Sequence, residues 1–165
     1  MNSNTSETQT ENLSLLIWKL AIGPAVSWEI SKYFGSSHPY LAPLSVILTI
    51  QSTVDQTVSI SVKRVIGTLI GISITVLIAN FFKVEGWSLG LLILIGCFIA
   101  KCFNFGKKVI HQAAITILFV FVFEHQNSHY ALDRLRDTII GVLVAGVIQL
   151  AWFRFFTKEK SSISN

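Results

Sequence analysis

Two arginines stand at the heads of long apolar stretches, seventy residues apart: Arg64 before Val65–Phe82, and Arg134 shortly before Ile139–Phe153. A guanidinium is planar, permanently charged and forked, so it suits the carboxylate of an organic anion. A second polar set lies in an otherwise apolar segment. Ser45, Thr49, Ser52 and Gln56 recur at helical spacing, with Gln51 among them. Polar side chains in a membrane helix face a partner or a water-filled path. Together with Thr68 and Thr138, which follow the two arginines, they are the candidate lining of such a path.

Other chemistry finds little support. There is no Gly-rich phosphate loop, no Gly-x-Ser-x-Gly, no His-Glu-x-x-His and no paired carboxylates across a cleft, so no enzyme is expected. Cys97 and Cys102 lack metal-ligand spacing and read as small buried hydrophobes, so neither a metal nor another cofactor is expected. His111-Gln112 is the one histidine site worth testing for proton sensitivity.

The arginines belong to a repeated octet. Arg64-Val65-Ile66-Gly67-Thr68-Leu69-Ile70-Gly71 aligns with Arg134-Leu135-Arg136-Asp137-Thr138-Ile139-Ile140-Gly141, matching at Arg, Thr, Ile and the last Gly. Val46–Ile50 falls on Thr116–Val120 at the same offset. Gly67, Gly71 and Thr75 share one helix face, as do Asp137, Gly141 and Ala145. Small residues at this spacing let helices pack closely, here the third against the sixth. An arginine near a helix N-terminus opposes the macrodipole, so carboxylate partners are expected. Asp55 is the candidate for Arg64, and Asp137 or Glu124 for Arg134. The plainer alternative is that both arginines snorkel as topology anchors.

The elements that must position these residues follow from composition. Hydrophobic residues make up 52% of the 165 and charged ones 13%, with a mean hydropathy of +0.60. A soluble domain carries roughly twice that charged share. Apolar blocks of this length approach the span of a bilayer. The reading is an all-α integral membrane protein of six transmembrane helices, about 13–34, 40–58, 63–82, 87–103, 109–123 and 131–156. A disordered polar leader occupies 1–12, a first three-helix repeat 13–82, a second 83–156 and a polar cytoplasmic tail 157–165. An odd number of helices per repeat makes the repeats inverted in topology. Of the thirteen basic residues, nine fall on one side and four on the other, which puts both termini in the cytoplasm. That count sets Arg64 and Arg134 at opposite faces, where they would not share one cluster. The pI near 9.2 reflects these helix-end charges and not nucleic-acid binding.

With these residues assembled, the chain resembles the aromatic acid exporter and fusaric acid resistance superfamily, in its short Gram-positive-type branch. The resemblance rests on His38-Pro39-Tyr40 with Ala42, on Val46-Ile47-Leu48-Thr49-Ile50-Gln51 with Thr53, and on the two octets, and covers about Lys19 to Phe153. It implies a multi-pass inner-membrane protein, with some members proposed to export aromatic carboxylic acids. A transport protein for small organic anions in the lipid bilayer of the cell membrane is therefore the leading expectation, with a homo-oligomer expected from so small a bundle. A non-transporting scaffold or assembly partner and a passive anion channel stay open as alternatives.

Overall fold

The computed structural model describes residues 3–51, 53–78, 81, 83–124 and 129–163, with side chains for 14–51, 53–78, 81, 83–123, 129–152 and 154. Ser52 and the side chain of Glu124 lie outside the described residues. Six helices follow one another: α1 (Ser3–Tyr33), α2 (Leu41–Thr49), α3 (Val54–Ile78), α4 (Gly86–Cys102), α5 (Lys107–Glu124) and α6 (Tyr130–Ile163). No strand occurs among the described residues. Among them α3 and the Tyr130–Trp152 part of α6 are long and apolar enough to cross a membrane, and α4 is a shorter apolar helix.

Both polar ends differ from expectation. Helix α1 takes in most of 1–12, and α6 runs on into the tail. Extending an existing helix costs far less than nucleating one, so polar residues join its ends.

The second and third elements also differ. At nine residues, α2 is about 14 Å long, well short of a bilayer. The chain breaks after Thr49 and restarts at Val54. The restart has a local cause: Thr53 Oγ1 accepts the Gln56 amide at 3.3 Å, the N-cap half of a capping box, and Asp55 sits in the first turn, where a carboxylate suits the helix dipole. Gln56 thus lies on α3 and not on a face shared with Ser45 and Thr49. Arg64 lies well inside α3 instead of at its head.

The link from α1 to α2 is shaped by Gly35, at φ 74°. Gly35 N–H donates to Lys32 O and Ser36 N–H to Ser31 O, a Schellman close that needs the left-handed conformation. Helix α4 ends the same way, with Asn104 at φ 59°.

Helix α2 packs on α6, and α5 on α3. Helix α1 covers α2 and α6, α4 covers α5 and α3, and α3 crosses α6. The glycine ridges therefore do not serve the α3–α6 contact expected from the sequence. A Cβ on Gly67 or Gly71 would meet Gln112, Thr116 and the backbone of α5, and one on Gly141 would meet Ala42 and Ser45 of α2.

Burial along the paired helices follows the same pattern twice. In α3 it falls on Ser61, Arg64, Gly67, Thr68, Gly71, Ile74 and Thr75. In α6 it falls on Ala131, Arg134, Asp137, Thr138, Gly141, Val144 and Ala145, seventy residues on, with Tyr130 and Asp133 buried in addition where Ile60 and Lys63 are not. In α2 and its C-cap, Leu41, Ala42, Ser45, Val46, Thr49 and Ile50 match Gln112, Ala113, Thr116, Ile117, Val120 and Phe121 of α5 at an offset of 71. The single offset of seventy thus holds for α3 and α6 but slips by one residue between α2 and α5.

The interior holds about as many polar or charged residues as apolar ones, while Leu77, Leu94, Phe98, Leu143 and Val147 point outward, each more than half exposed. An apolar exterior around a polar interior reverses the order of a water-soluble domain. Three apolar clusters frame that interior, among them Val46, Ile50, Val144 and Ala145 between α2 and α6, and Leu92, Ile117 and Phe121 between α4 and α5.

Candidate functional site

The two octet arginines are both inside the bundle. Arg64 is 4% exposed and Arg134 is fully buried. Their guanidiniums are close enough to repel one another. Placement at opposite faces, as charge counting had it, does not describe them. The count treats each arginine as a loop residue, whereas helix pairing draws both inward.

Arg64 is held by an amide. Its Nη1 donates to Gln112 Oε1 at 3.0 Å, and Gln112 Nε2 reaches Thr68 Oγ1 at 3.3 Å and Thr116 Oγ1 at 3.4 Å. Gln112 can approach because Gly67 has no side chain: a Cβ there would lie 2.7 Å from that of Gln112. The expected Arg64–Asp55 ion pair is absent. Asp55 lies about 2.5 turns earlier on the same helix and is exposed. Gln112→Leu would strip Arg64 of its one hydrogen bond among the described residues and is expected to lower stability by about 1–3 kcal/mol. Thermal unfolding in detergent measures this, and an unchanged midpoint would show that Arg64 is held in some other way.

Arg134 has no such partner. Nε, Nη1 and Nη2 all lack a hydrogen bond among the described residues. The guanidinium lies over the ring of Phe119, 4.8 Å from its centroid. Phe119, Phe123 and Tyr130 stack in series at 6.2 and 5.1 Å, and His38 meets Tyr130 edge-on. Tyr40, Tyr130 and Asp137 lie within electrostatic reach of the guanidinium. The hydroxyl of Tyr130 lies beside that of Tyr40, and those of Ser45 and Thr49 on α2 are buried without a partner among the described residues.

Asp137 does not form the expected ion pair with Arg134. Its two oxygens accept from Ser31 Oγ at 2.7 Å and Ser36 Oγ at 2.6 Å. Asp133, one turn earlier, accepts from the Ser37 amide and Arg136 Nη2 and lies 3.1 Å from His38 Nδ1. Arg136 also donates to Phe34 O. The first turns of α6 thus strap down the α1–α2 link. The other expected partner of Arg134, Glu124, falls outside the described side chains.

The burial of Arg134 decides what the site can do. An unpaired buried charge costs several kcal/mol. A cation–π contact returns about 0.5–2 kcal/mol, which does not balance it. An anionic group on the fork would offset it.

The remaining candidates divide. Thr68 joins the Gln112 network. Thr138 Oγ1 donates to the Arg134 carbonyl at 2.7 Å, so it serves its own helix. Ala145 packs in the α2–α6 cluster. Gln51 borders an open cleft of ≈ 390 Å³ with Asp55, Gln56, Ser59, Ile60 and Lys108, at the α2–α3 break, and neither arginine lines it. Sequence reasoning missed Gln112 as a ligand of Arg64, and missed the buried Lys19 Nζ–Gln149 Oε1 bond at 3.0 Å. In each case the signal was a single amide inside an apolar run.

A comparison with protein-family models matches residues 12–152 to aromatic acid exporter family member 1. The chain belongs to the aromatic acid exporter family. That family is one of exporters and not of enzymes, and it makes a membrane transporter the coarse reading of this chain. Curated proteins and solved structures offer no match.

Proposed function

We propose that this member of the aromatic acid exporter family carries small organic anions, aromatic carboxylates in particular, out of the cell, with Arg134 as the anchor of the carboxylate. The observation that carries the reading is a fully buried guanidinium, without a hydrogen-bond partner among the described residues, on the face of an aromatic ring. Arg64, tied to Gln112, adds positive potential to the same interior. The polar α2 residues Ser45 and Thr49 offer hydroxyls along the way.

The carrier is read as six spans in two inverted three-helix repeats, the short α2 crossing where the bilayer thins around it. Supporting this are the doubled burial pattern and the reciprocal packing of α2 on α6 and α5 on α3. Repeats of this kind expose a central site alternately to each side. The bias of basic residues sets both termini in the cytoplasm, and so small a bundle in the cell membrane is assigned to a homo-oligomer.

The test is efflux of labelled 4-hydroxybenzoate from proteoliposomes, beside cyclohexanecarboxylate and a neutral analogue. Protein-dependent flux is expected for the aromatic acid, about tenfold less for the cyclohexane acid given an aromatic contact of up to about 1.5 kcal/mol, and none for the neutral compound. Arg134→Lys keeps the charge but loses the fork, and is expected to retain weak flux. No flux of any anion would favour the scaffold, and equal flux of all three would contradict an arginine-anchored site.

A further inference from the structure

The charges buried in the bundle do not cancel. Among the described residues Lys19, Arg64 and Arg134 are buried cations, and Asp133 and Asp137 buried carboxylates. The two carboxylates are already engaged. Asp133 faces His38 and Arg136, and Asp137 faces Ser31 and Ser36. Lys19 is bound to Gln149. Nearest the unpaired guanidinium, Arg64 and Arg134 against Asp137 leave one positive charge in excess among the described residues.

We infer that each chain takes one monovalent anion with no coupled proton, and that export is driven by the membrane potential itself. This rests on the transport reading above. A loaded site is then neutral and crosses without sensing the field. The empty site carries one positive charge, so a negative cell interior draws it inward, where it loads again. Each cycle moves one negative charge out. Among the described residues no carboxylate bonds Arg134 to exchange a proton for the anion, because Asp137 turns both oxygens to serines.

The experiment uses the full chain in proteoliposomes with a tenfold gradient of 4-hydroxybenzoate, protein-free vesicles being subtracted. Potassium gradients with valinomycin set the potential. Net flux is expected to vanish at about 59 mV, the value for one charge at a tenfold ratio, whatever the pH gradient. Exchange of labelled for unlabelled anion, in which the site crosses loaded both ways, is expected to ignore the potential. A null point near half that value that shifts with the pH gradient would show proton exchange and overturn the inference. So would a null point that the potential does not move, or exchange as voltage-dependent as net efflux. No protein-dependent flux at any potential would remove the transport reading itself. Asp137→Asn raises the excess to two, and phthalate is expected to overtake the monoanion. An unchanged preference in a folded variant would count against the charge argument.

Discussion

Arg134→Met is expected to make the protein more stable and to abolish transport. Met fills much the same volume without a charge, and the variant removes an unpaired ion from the interior. Replacing buried ionic groups with apolar residues of similar size gains about 1–4 kcal/mol in comparable cases, against a smaller loss from the Phe119 contact. A rise in the thermal midpoint should therefore accompany a fall in 4-hydroxybenzoate efflux of about 100-fold, the loss of one charge-assisted pairing worth up to about 3 kcal/mol. An arginine that merely held helices together would behave in the opposite way, and its removal would lower the midpoint. Opposite signs for stability and flux in one variant mark a residue kept for its ligand.

Gly141→Ala is expected to be the most damaging of the glycine substitutions. A Cβ there would stand 2.5 Å from the Ala42 carbonyl oxygen and 2.5 Å from Ser45 Cβ, so the backbone of α2 must move. Overpacking of this kind costs typically about 1–3 kcal/mol, more than the roughly 1 kcal/mol that Ala gains over Gly in a helix. The shift also carries Ser45 away from the interior, so flux should fall with stability. Gly71→Ala should follow, with Thr116 Cβ at 2.7 Å and the Ala113 carbonyl at 2.9 Å. Gly96→Ala meets the tip of Ile117, which can turn aside, and should cost little. Gly90→Ala and Gly146→Ala meet nothing within 4 Å and should not lower the midpoint. Thermal unfolding of the series in detergent checks the order. A Gly146→Ala variant as unstable as Gly141→Ala would place the close seam on a different face of α6.

Much of this was legible in the chain because apolar blocks and small-residue spacing are local properties. The octets gave the matched register of α3 and α6, and the guanidiniums were recognisable as the groups most able to hold an anion. Helix adjacency was not legible. Arg64 finds its ligand Gln112 across the α3–α5 seam, a pairing that no spacing within one helix encodes. Asp137 looked like the partner of Arg134, one turn away. Ser31 in the last turn of α1 and Ser36, placed by its Schellman close, take both its oxygens instead. The start of α3 was readable in principle: Thr53-Val54-Asp55-Gln56 is a capping box. That start sets Arg64 deep in its helix, where charge counting alone puts it at a membrane face.

The central claim is that an aromatic carboxylate sits on Arg134. Calorimetric titration of 4-hydroxybenzoate into the purified wild-type protein and into Arg134→Met addresses it most directly, since it separates binding from transport. Saturable binding to the wild type and none to the folded variant is the expected result. Equal affinity in both would contradict the account.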